Sequence, residues 1–442
     1  MKRKVLLFSL CLATGFTTGF ATDITSSDTD NSTKKTEDTP KKSRLTLGGY
    51  GEAVMTRNFY SDNWKRYTDA SLYKNADSHG RFDLPHVVLF IGYDFGKGWT
   101  MGSEIEFEHG GTESAVEIEE EETGEYESEI ERGGEVALEQ FWIQKSFLPE
   151  LNLRMGHIIV PVGLTNGHHM PTEFFGVYRP EGENTILPCT WHETGVSLWG
   201  RIKKWRYEVM FLAGLDADRF NNQNWIQGGT GSPYEFKIAN SYAGAARIDN
   251  YSIPGLRIGV SGYLGKSASN SLKANKFTGL KGMVSIGAVD FGYNAHNWIV
   301  RGSFVYGHLE NAGKIAESNR SLKGMGISPG TNIGSDAISI GAEAGYDLFS
   351  QITKLKEKEQ RLYIFGRYDF YNPMYKMGKN TKGQQLLDEG QWGRQRIAGG
   401  LNYYPMKEIV VKAEYSCRLF KSQYNNEPSI SLGVAYSGFF TK

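Results

Sequence analysis

The sequence predicts an all-β fold: a 16-stranded antiparallel transmembrane β-barrel with short periplasmic turns, long outer loops and an inward-folded third loop. The composition, with 24 Tyr, 24 Phe, 9 Trp and 53 Gly against 13 Pro, suits pleated strands and the aromatic girdles of membrane barrels. Sixteen segments alternate polar and apolar residues with the two-residue period of a strand. The connections between these segments alternate between short and long, which is the pattern of bacterial outer-membrane barrels.

The N-terminus indicates export. A basic start (residues 2–4), an apolar run (5–16) and small residues up to position 21 have the layout of a secretory signal peptide, which we assign to 1–21. No later stretch approaches the 18 or more apolar residues of a membrane helix. Residues 22–43 are mostly Thr, Ser, Asp and Lys and predict a disordered periplasmic segment. The barrel domain is therefore expected to occupy 44–442.

Charge and cysteine content exclude several classes of protein. The formal net charge is −1 and becomes more negative once the basic signal segment is removed, so no nucleic-acid partner is predicted. Only Cys189 and Cys417 lie outside the signal segment, too few for a disulfide framework. We expect two free thiols, with a single disulfide between them as the alternative. The chain contains no H-E-x-x-H or G-x-G-x-x-G motif, and neither an enzyme nor a cofactor is predicted.

The predicted strands follow one another at regular intervals. They lie near 44–57, 80–95, 99–109, 135–147, 151–161, 193–202, 204–214, 241–251, 256–266, 281–292, 296–307, 335–347, 361–371, 391–404, 407–420 and 427–440. The long outer loops are then 58–79, 110–134, 162–192, 215–240, 267–280, 308–334 and 372–390, with a short one at 421–426. Most periplasmic links have one to four residues, as at 96–98, 293–295 and 404–406, while the link at 348–360 is longer.

The strand faces separate charge from apolar surface. In the third strand, Glu104, Glu106 and Glu108 alternate with apolar residues. Arg or Lys facing lipid at mid-membrane costs about 2–4 kcal/mol, so such charges should face the lumen. The fourth strand, around Glu139, cannot be oriented from its pattern. The predicted lumen charges are Glu104, Glu106, Glu108, Arg206, Glu208, Arg247, Asp249, Arg301, Glu343, Arg367, Asp369, Arg394, Arg396, Lys412, Glu414 and Arg418.

The third outer loop is the most informative segment. Two amphipathic strands bracket about 30 polar and charged residues, and connections beyond about 12–15 residues are normally functional or disordered. We expect this loop to fold inward and narrow the lumen; a surface cap is the alternative. The residues expected at the constriction are His168, His169, Glu173, Arg179, Glu181, Glu183, His192 and Glu193. Its histidines lack a firm ligand spacing, and no metal site is predicted.

The second outer loop is strongly acidic. It runs from Glu113 to Glu135, with four consecutive glutamates at 119–122 and only Arg132 opposing them. Such a run usually forms a solvated, mobile face. Divalent-cation bridging to lipopolysaccharide and repulsion of anions at the mouth are the alternatives.

Four motifs in this order resemble the phosphate-selective porin O and P family along most of the chain after residue 44. They are Arg81-Phe82-Asp83-Leu84, Gly156-His157 followed by Pro161-Val162-Gly163-Leu164, Glu193-Thr194-Gly195-Val196, and Arg367-Tyr368-Asp369-Phe370-Tyr371-Asn372-Pro373. The resemblance implies a 16-stranded diffusion channel, a homotrimer, and a third loop folded into the pore.

Phosphate selectivity does not follow directly from the resemblance. Family members often place arginines after the first motif, whereas this chain has Asp83-Leu84-Pro85-His86. Lumen charges of both signs orient polar solutes rather than attract anions alone. We therefore expect a general or weakly selective porin in the outer membrane of a Gram-negative bacterium, in contact with lipid and lipopolysaccharide. Two alternatives stay open: an anion- or phosphate-selective channel, and a barrel with a glycan-binding, assembly or hydrolase role.

Overall fold

The computed structural model describes residues 43–120, 126–231, 237–271, 277, 279–325, 327–421 and 423–441. The predicted signal peptide and nearly all of the predicted N-terminal segment lie outside these residues. No helix in the described ranges is long and apolar enough to cross a membrane.

The chain forms one closed antiparallel β-barrel. Successive strands pair from β3 to β17, and β1 pairs with β2, β3 and β17, which closes the sheet. The strands are β1 Leu45–Asn58, β2 His79–Asp83, β3 His86–Gly96, β4 Trp99–Glu120, β5 Tyr126–Leu148, β6 Leu151–Ile159, β7 His192–Ile202, β8 Trp205–Ala213, β9 Tyr242–Asn250, β10 Leu256–Lys266, β11 Met283–Ala295, β12 Trp298–Leu309, β13 Gly334–Asp347, β14 Arg361–Met377, β15 Arg394–Met406, β16 Ile409–Leu419 and β17 Glu427–Phe439.

The barrel has sixteen strands because β2 and β3 are two parts of one. Both pair with β1, and Leu84 and Pro85 separate them. Proline has no N–H to donate to a strand ladder, which explains the interruption. The predicted 16-stranded fold is thus confirmed.

The prediction of an outer loop over residues 110–134 was wrong in part. The described backbone continues as strand to Glu120 and resumes at Tyr126, and the register pairs Val116 with Ile130. Apolar residues alternate with glutamates in this segment, so the two-residue period of a strand is still present among the glutamates.

Two periplasmic turns also lie later than predicted. The β11–β12 hairpin turns at His296 and Asn297 rather than at 293–295, and these residues have φ of 54° and 66°. Two left-handed residues are what a two-residue hairpin with the right twist requires. The β15–β16 hairpin turns after Met406 instead of at 404–406.

A bulge in β5 accounts for the strand that the sequence could not orient. Gln140 lies opposite Glu104 while Leu138 lies opposite Ile105, so Glu139 is the extra residue. Glu139 and Gln140 are both buried. Beyond the bulge the strict alternation resumes.

The outside of the barrel is apolar and carries aromatic residues at the periplasmic ends of the strands. Val260, Ile340 and Val411 are among the exposed outward residues at mid-strand. Large exposed aromatics at the periplasmic ends are Phe95, Trp99, Phe147, Trp205, Trp298 and Phe440. Together they form the apolar band and one aromatic girdle of a transmembrane barrel.

The outer loops pack into the barrel on one side. Trp191, Phe220, Trp225 and Ile315 come from three different outer loops and join one buried apolar cluster with inward residues of β8 to β13. The helices are short: α1 Glu181–Ile186, α2 Ala312–Arg320 and α3 Thr353–Glu357. The first two lie in outer loops and α3 lies in the long periplasmic turn.

Candidate functional site in the barrel interior

The third loop, residues 160–191 between β6 and β7, folds into the barrel interior. Its two ends pack into the apolar cluster through Val160, Val162 and Trp191. Its middle contacts the inward-facing side chains of β13 to β17, several strands away around the barrel. The loop therefore crosses the interior, as the sequence predicts.

The backbone of residues 174–177 is held by charged side chains of the wall. Glu343 accepts a hydrogen bond from the Phe175 N–H at 3.3 Å, and Glu414 accepts one from the Val177 N–H at 2.9 Å. The Lys412 ammonium donates to the carbonyl oxygens of Phe174 and Gly176 at 2.9 and 2.7 Å. Charge-assisted hydrogen bonds of this kind are roughly twice as strong as neutral ones, so this segment is firmly anchored.

Glu181, at the start of α1, forms a second anchor. Its carboxylate accepts hydrogen bonds from Arg396 at 2.7 Å and Arg418 at 2.6 Å, and also from the Tyr371 hydroxyl. Burial alone would raise the pKa of Glu181, but the charges of Arg418 and Arg396 outweigh it and hold that pKa well below its usual range. Glu181 thus stays ionised wherever the barrel is folded at ordinary pH.

A network of arginines and carboxylates lies beneath the start of the loop. Arg247 and Arg257 each contact both Asp249 and Asp290 at 2.6 to 3.0 Å. Arg247 also donates to the carbonyl oxygen of Gly163 at 2.7 Å. Gly163 has φ of +79°, and a Cβ there would lie 2.2 Å from the Glu183 carboxylate, so only glycine fits this approach.

Two cavities adjoin the third loop, and Leu164 and His168 line both. The first has a volume of about 590 Å³. Its charged lining residues are Arg154, Arg206, Glu208, Arg247, Asp249 and Arg257. The second has a volume of about 400 Å³, and its charged lining residues are Glu173, Glu183, Arg301, Glu343, Arg367 and Asp369. Both cavities are therefore lined by charges of both signs.

Glu183 differs from Glu181 in having no cationic partner. One carboxylate oxygen accepts the Thr165 N–H at 2.7 Å, and the other has no hydrogen-bond partner among the described residues. Burial raises the pKa of Glu183 to about 7. This carboxyl group therefore changes charge near neutral pH beside the second cavity.

The sixteen predicted lumen charges all lie on the inward side of their strands. Eleven of them are buried; Glu108, Arg301, Arg394, Arg396 and Arg418 are partly exposed. Most of the buried ones are paired, for example Arg206 with Glu208 at 2.6 Å and Arg367 with Asp369 at 2.7 Å. Many of the charged side chains on the inner wall thus neutralise one another in ion pairs.

The eight third-loop candidates do not form one group. His168 and Glu173 lie 3.4 Å apart at the cavities. His169 and Arg179 are buried against the wall near Glu139 and Glu106, and Glu193 pairs with Lys237. Including His192 was wrong: alternation along β7 places it on the opposite face from Glu193, where it contacts His157 of β6.

Several interior charges were missed by the sequence interpretation. Arg154, Arg257 and Asp290 lie inward on β6, β10 and β11. Their strands were predicted, and the alternation there would have identified them. Arg154 is held between Trp142 and Trp199, whose ring centroids lie 4.8 and 5.5 Å from its guanidinium carbon.

Comparisons with known proteins support the fold. No family model matches the chain. An uncharacterised protein of Aquifex aeolicus (strain VF5) is 24% identical over 396 residues, covering 87% of this chain and 78% of that protein. The structure of OmpF of Salmonella typhi, in complex with daunomycin, matches 89% of this chain and 97% of its own with a TM-score of 0.54 and 11% identity. At that identity the likeness shows the fold alone: a porin-type barrel.

A second solved structure, the outer membrane channel DcaP of Acinetobacter baumannii, covers 90% of this chain and 99% of its own. Its TM-score is 0.49 and its identity 11%. Since no family model matches the chain, the resemblance to the phosphate-selective porin O and P family stays a prediction.

Proposed function

We propose that this protein is an outer-membrane diffusion channel for small hydrophilic solutes and ions, with its constriction formed by residues 160–191. The observation that supports this function best is the path of the third loop. It crosses a closed barrel, is anchored to charged wall residues such as Lys412 and Glu414, and adjoins two cavities lined by charges of both signs.

Membrane insertion follows from the distribution of apolar surface. The outward face is apolar at mid-strand, whereas the inward face carries charges. A closed barrel satisfies all its backbone hydrogen bonds internally, which a membrane-spanning sheet must do. Outer-membrane lipid and lipopolysaccharide are the expected surroundings. Export through the signal peptide at 1–21 and assembly as a homotrimer belong to the same proposal.

The mixed lining favours weak selectivity. Near the second cavity, Arg301 and Arg367 are each opposed by Glu343, and Arg367 also by Asp369. Opposed charges produce a field across the passage that orients polar solutes without excluding either ion sign.

An anion-selective channel is the second candidate, because the first cavity has a surplus of arginines. Arg154, Arg206, Arg247 and Arg257 line it together with Glu208 and Asp249. Asp290 also pairs with Arg247 and Arg257, so four arginines face three carboxylates. Guanidinium groups suit the oxygens of phosphate.

Single-channel recording in planar bilayers tests both candidates. The mature protein should show discrete current steps, and a reversal potential near zero under a salt gradient supports weak selectivity. A strongly anion-selective potential with block by phosphate favours the second candidate. Absence of any conductance contradicts both and points to a plugged barrel with a binding or enzymatic role.

The constriction requires a variant of its own. Replacing residues 168–179 with a short Gly-Ser linker should raise the conductance, because it removes the segment that crosses the interior. Shortening the β4–β5 hairpin by a similar length, between residues 113 and 132, is the matched control and should leave conductance unchanged. A conductance unaltered by the 168–179 replacement contradicts the constriction. Native mass spectrometry of the mature protein tests the trimer and the cleavage site.

A further inference from the structure

Three buried ligand-type side chains converge where the third loop meets the wall. Glu104 of β4, Glu139 of the β5 bulge and His169 of the third loop are 1%, 0% and 1% exposed. One potential ligand atom from each lies within 4.8 Å of the other two. We propose that these three residues bind a divalent transition-metal ion of the zinc type, which fastens the third loop to the β4–β5 wall.

His169 is oriented as a metal ligand. Its Nδ1 lies 2.9 Å from the carbonyl oxygen of Asn166, and since a carbonyl only accepts, Nδ1 carries the proton. In the neutral imidazole, Nε2 then presents its lone pair. Nε2 has no hydrogen-bond partner in the described structure and lies 3.7 Å from a Glu139 oxygen. Ligating histidines commonly donate their other N–H to a carbonyl in this way.

The two carboxylates are each held in place by neighbouring side chains. Gln140 donates to one oxygen of Glu104, and the other oxygen has no hydrogen-bond partner among the described residues. Glu139 accepts hydrogen bonds from the Thr190 hydroxyl and, at 3.5 Å, from the Tyr50 hydroxyl. Such partners around the ligands fix their orientation.

A bound cation would balance the charge of the two carboxylates at this place. The nearby Glu106 carboxylate has His86 at 2.8 Å and Arg179 at 4.0 Å as ion-pair partners. Within the described residues, no Lys or Arg lies within ion-pair distance of Glu104 or Glu139. Two carboxylates buried together without a counter-charge are strongly unfavourable, and one divalent ion neutralises both.

The donor set selects the class of ion. One imidazole nitrogen with carboxylate oxygens suits Zn²⁺, which binds such atoms at about 2.0–2.2 Å. Ca²⁺ takes six to eight oxygen ligands and Mg²⁺ prefers an octahedral oxygen shell. The present 3.7 Å between Nε2 and the Glu139 oxygen is wider than a hydrogen bond, as atoms that share an ion would be.

Titration of the metal-free protein with Zn²⁺ tests the site. Wild-type protein stripped with EDTA in detergent micelles should bind about one equivalent of Zn²⁺ by isothermal titration calorimetry. His169→Ala should weaken binding by more than the roughly 10- to 100-fold that loss of an outer-shell partner costs. His168→Ala removes the adjacent histidine of the same loop, which is outside the cluster, and should bind like the wild type.

Glu104→Gln keeps the shape of the side chain, so a loss of binding in this variant can be separated from misfolding. It should lose Zn²⁺ binding while still migrating as a folded, heat-modifiable barrel in gel electrophoresis. Less than about half an equivalent bound to the wild type overturns the proposal. Equal losses in His168→Ala and His169→Ala, or undiminished binding in folded Glu104→Gln, also overturn it. None of these readouts depends on conductance, so the site and the channel function can fail separately.

Discussion

Charged residues inside this barrel often carry their counter-charge two positions away on the same strand. Arg206 with Glu208, Arg247 with Asp249, and Arg367 with Asp369 all follow this spacing. Residues i and i+2 of a strand share a face, so each pair enters the interior already close to neutral. The third-loop carboxylates Glu181 and Glu183 lack such local partners. The pKa of each therefore depends on burial and on residues that only the folded chain brings near.

Glu183 should make the channel respond to pH. Burial raises its pKa from 4.5 to about 7, so the carboxyl group is neutral near pH 5.5 and charged near pH 8.5. The folded state holds the proton more tightly than the unfolded chain, and stability should therefore fall as pH rises from 4.5 through 7. Reversal potentials at the two pH values should show greater cation preference at pH 8.5.

Glu183→Gln should abolish that difference, because the amide does not titrate. Glu173→Gln, at the same cavity, serves as the control and should preserve the change with pH. An unchanged pH response in Glu183→Gln would assign the effect to another group.

Glu181→Gln should destabilise the folded barrel and shift its selectivity toward anions. The substitution removes the carboxylate that Arg396 and Arg418 share. Both arginines are partly exposed and keep Glu414 and Glu427 as partners, so the cost should lie below the about 3–5 kcal/mol of breaking a fully buried pair. Urea unfolding and reversal potential measure the two effects. Glu150→Gln, in an exposed periplasmic turn, should change neither.

At the scale of elements, the third loop is attached to the barrel wall at separate segments. Its middle is fixed by Lys412, Asn402 and two carboxylates of the wall. Its α1 segment is fixed by Glu181. Removing one anchor should therefore loosen the loop locally while the others keep it inside the barrel.

Lys412→Met tests this arrangement. The variant keeps much of the apolar stem but loses both hydrogen bonds to the carbonyl oxygens of Phe174 and Gly176. Since a hydrogen bond to a charged group contributes about 1.5–3 kcal/mol, loop mobility should rise and open-channel current noise with it. Lys354→Met in the exposed periplasmic helix α3 is the matched control. Equal noise in both variants would contradict the anchor.

The sequence predicts the strands of this barrel far better than it predicts the site. Period-two alternation is local, so the strands and the inward charges could be read from it. The bulge at Glu139 disturbs that alternation. The extension of β4 to Glu120 was missed because its many glutamates suggested a solvated loop. The contacts of Glu181 with Arg396 and Arg418 join residues more than 200 positions apart, and such pairings follow from barrel closure rather than from any local pattern.

At the scale of the whole molecule, the interior is asymmetric. On the side of β8 to β13, outer loops fill the barrel with apolar residues such as Phe220 and Trp225. On the side of β14 to β17, the third loop meets charged wall residues. Both cavities adjoin the third loop, the first beside β6 and β8 to β10 and the second beside β12 to β14. In the proposed channel, the aqueous path would therefore run along this loop.

The orientation of the whole barrel in lipid can be tested by placing one charge on its outer face. Val260 lies near the middle of β10 and is 55% exposed. If this face contacts the hydrocarbon core, Val260→Arg should cost about 2–4 kcal/mol of folding free energy in phospholipid vesicles, against about 0–1 at the interface. Ile253→Arg, in the exposed periplasmic turn before β10, is the matched control. Urea titration of folding into vesicles measures both. Because a charge on a water-exposed sheet costs almost nothing, equal and small effects of the two substitutions would mean that the apolar band does not face lipid.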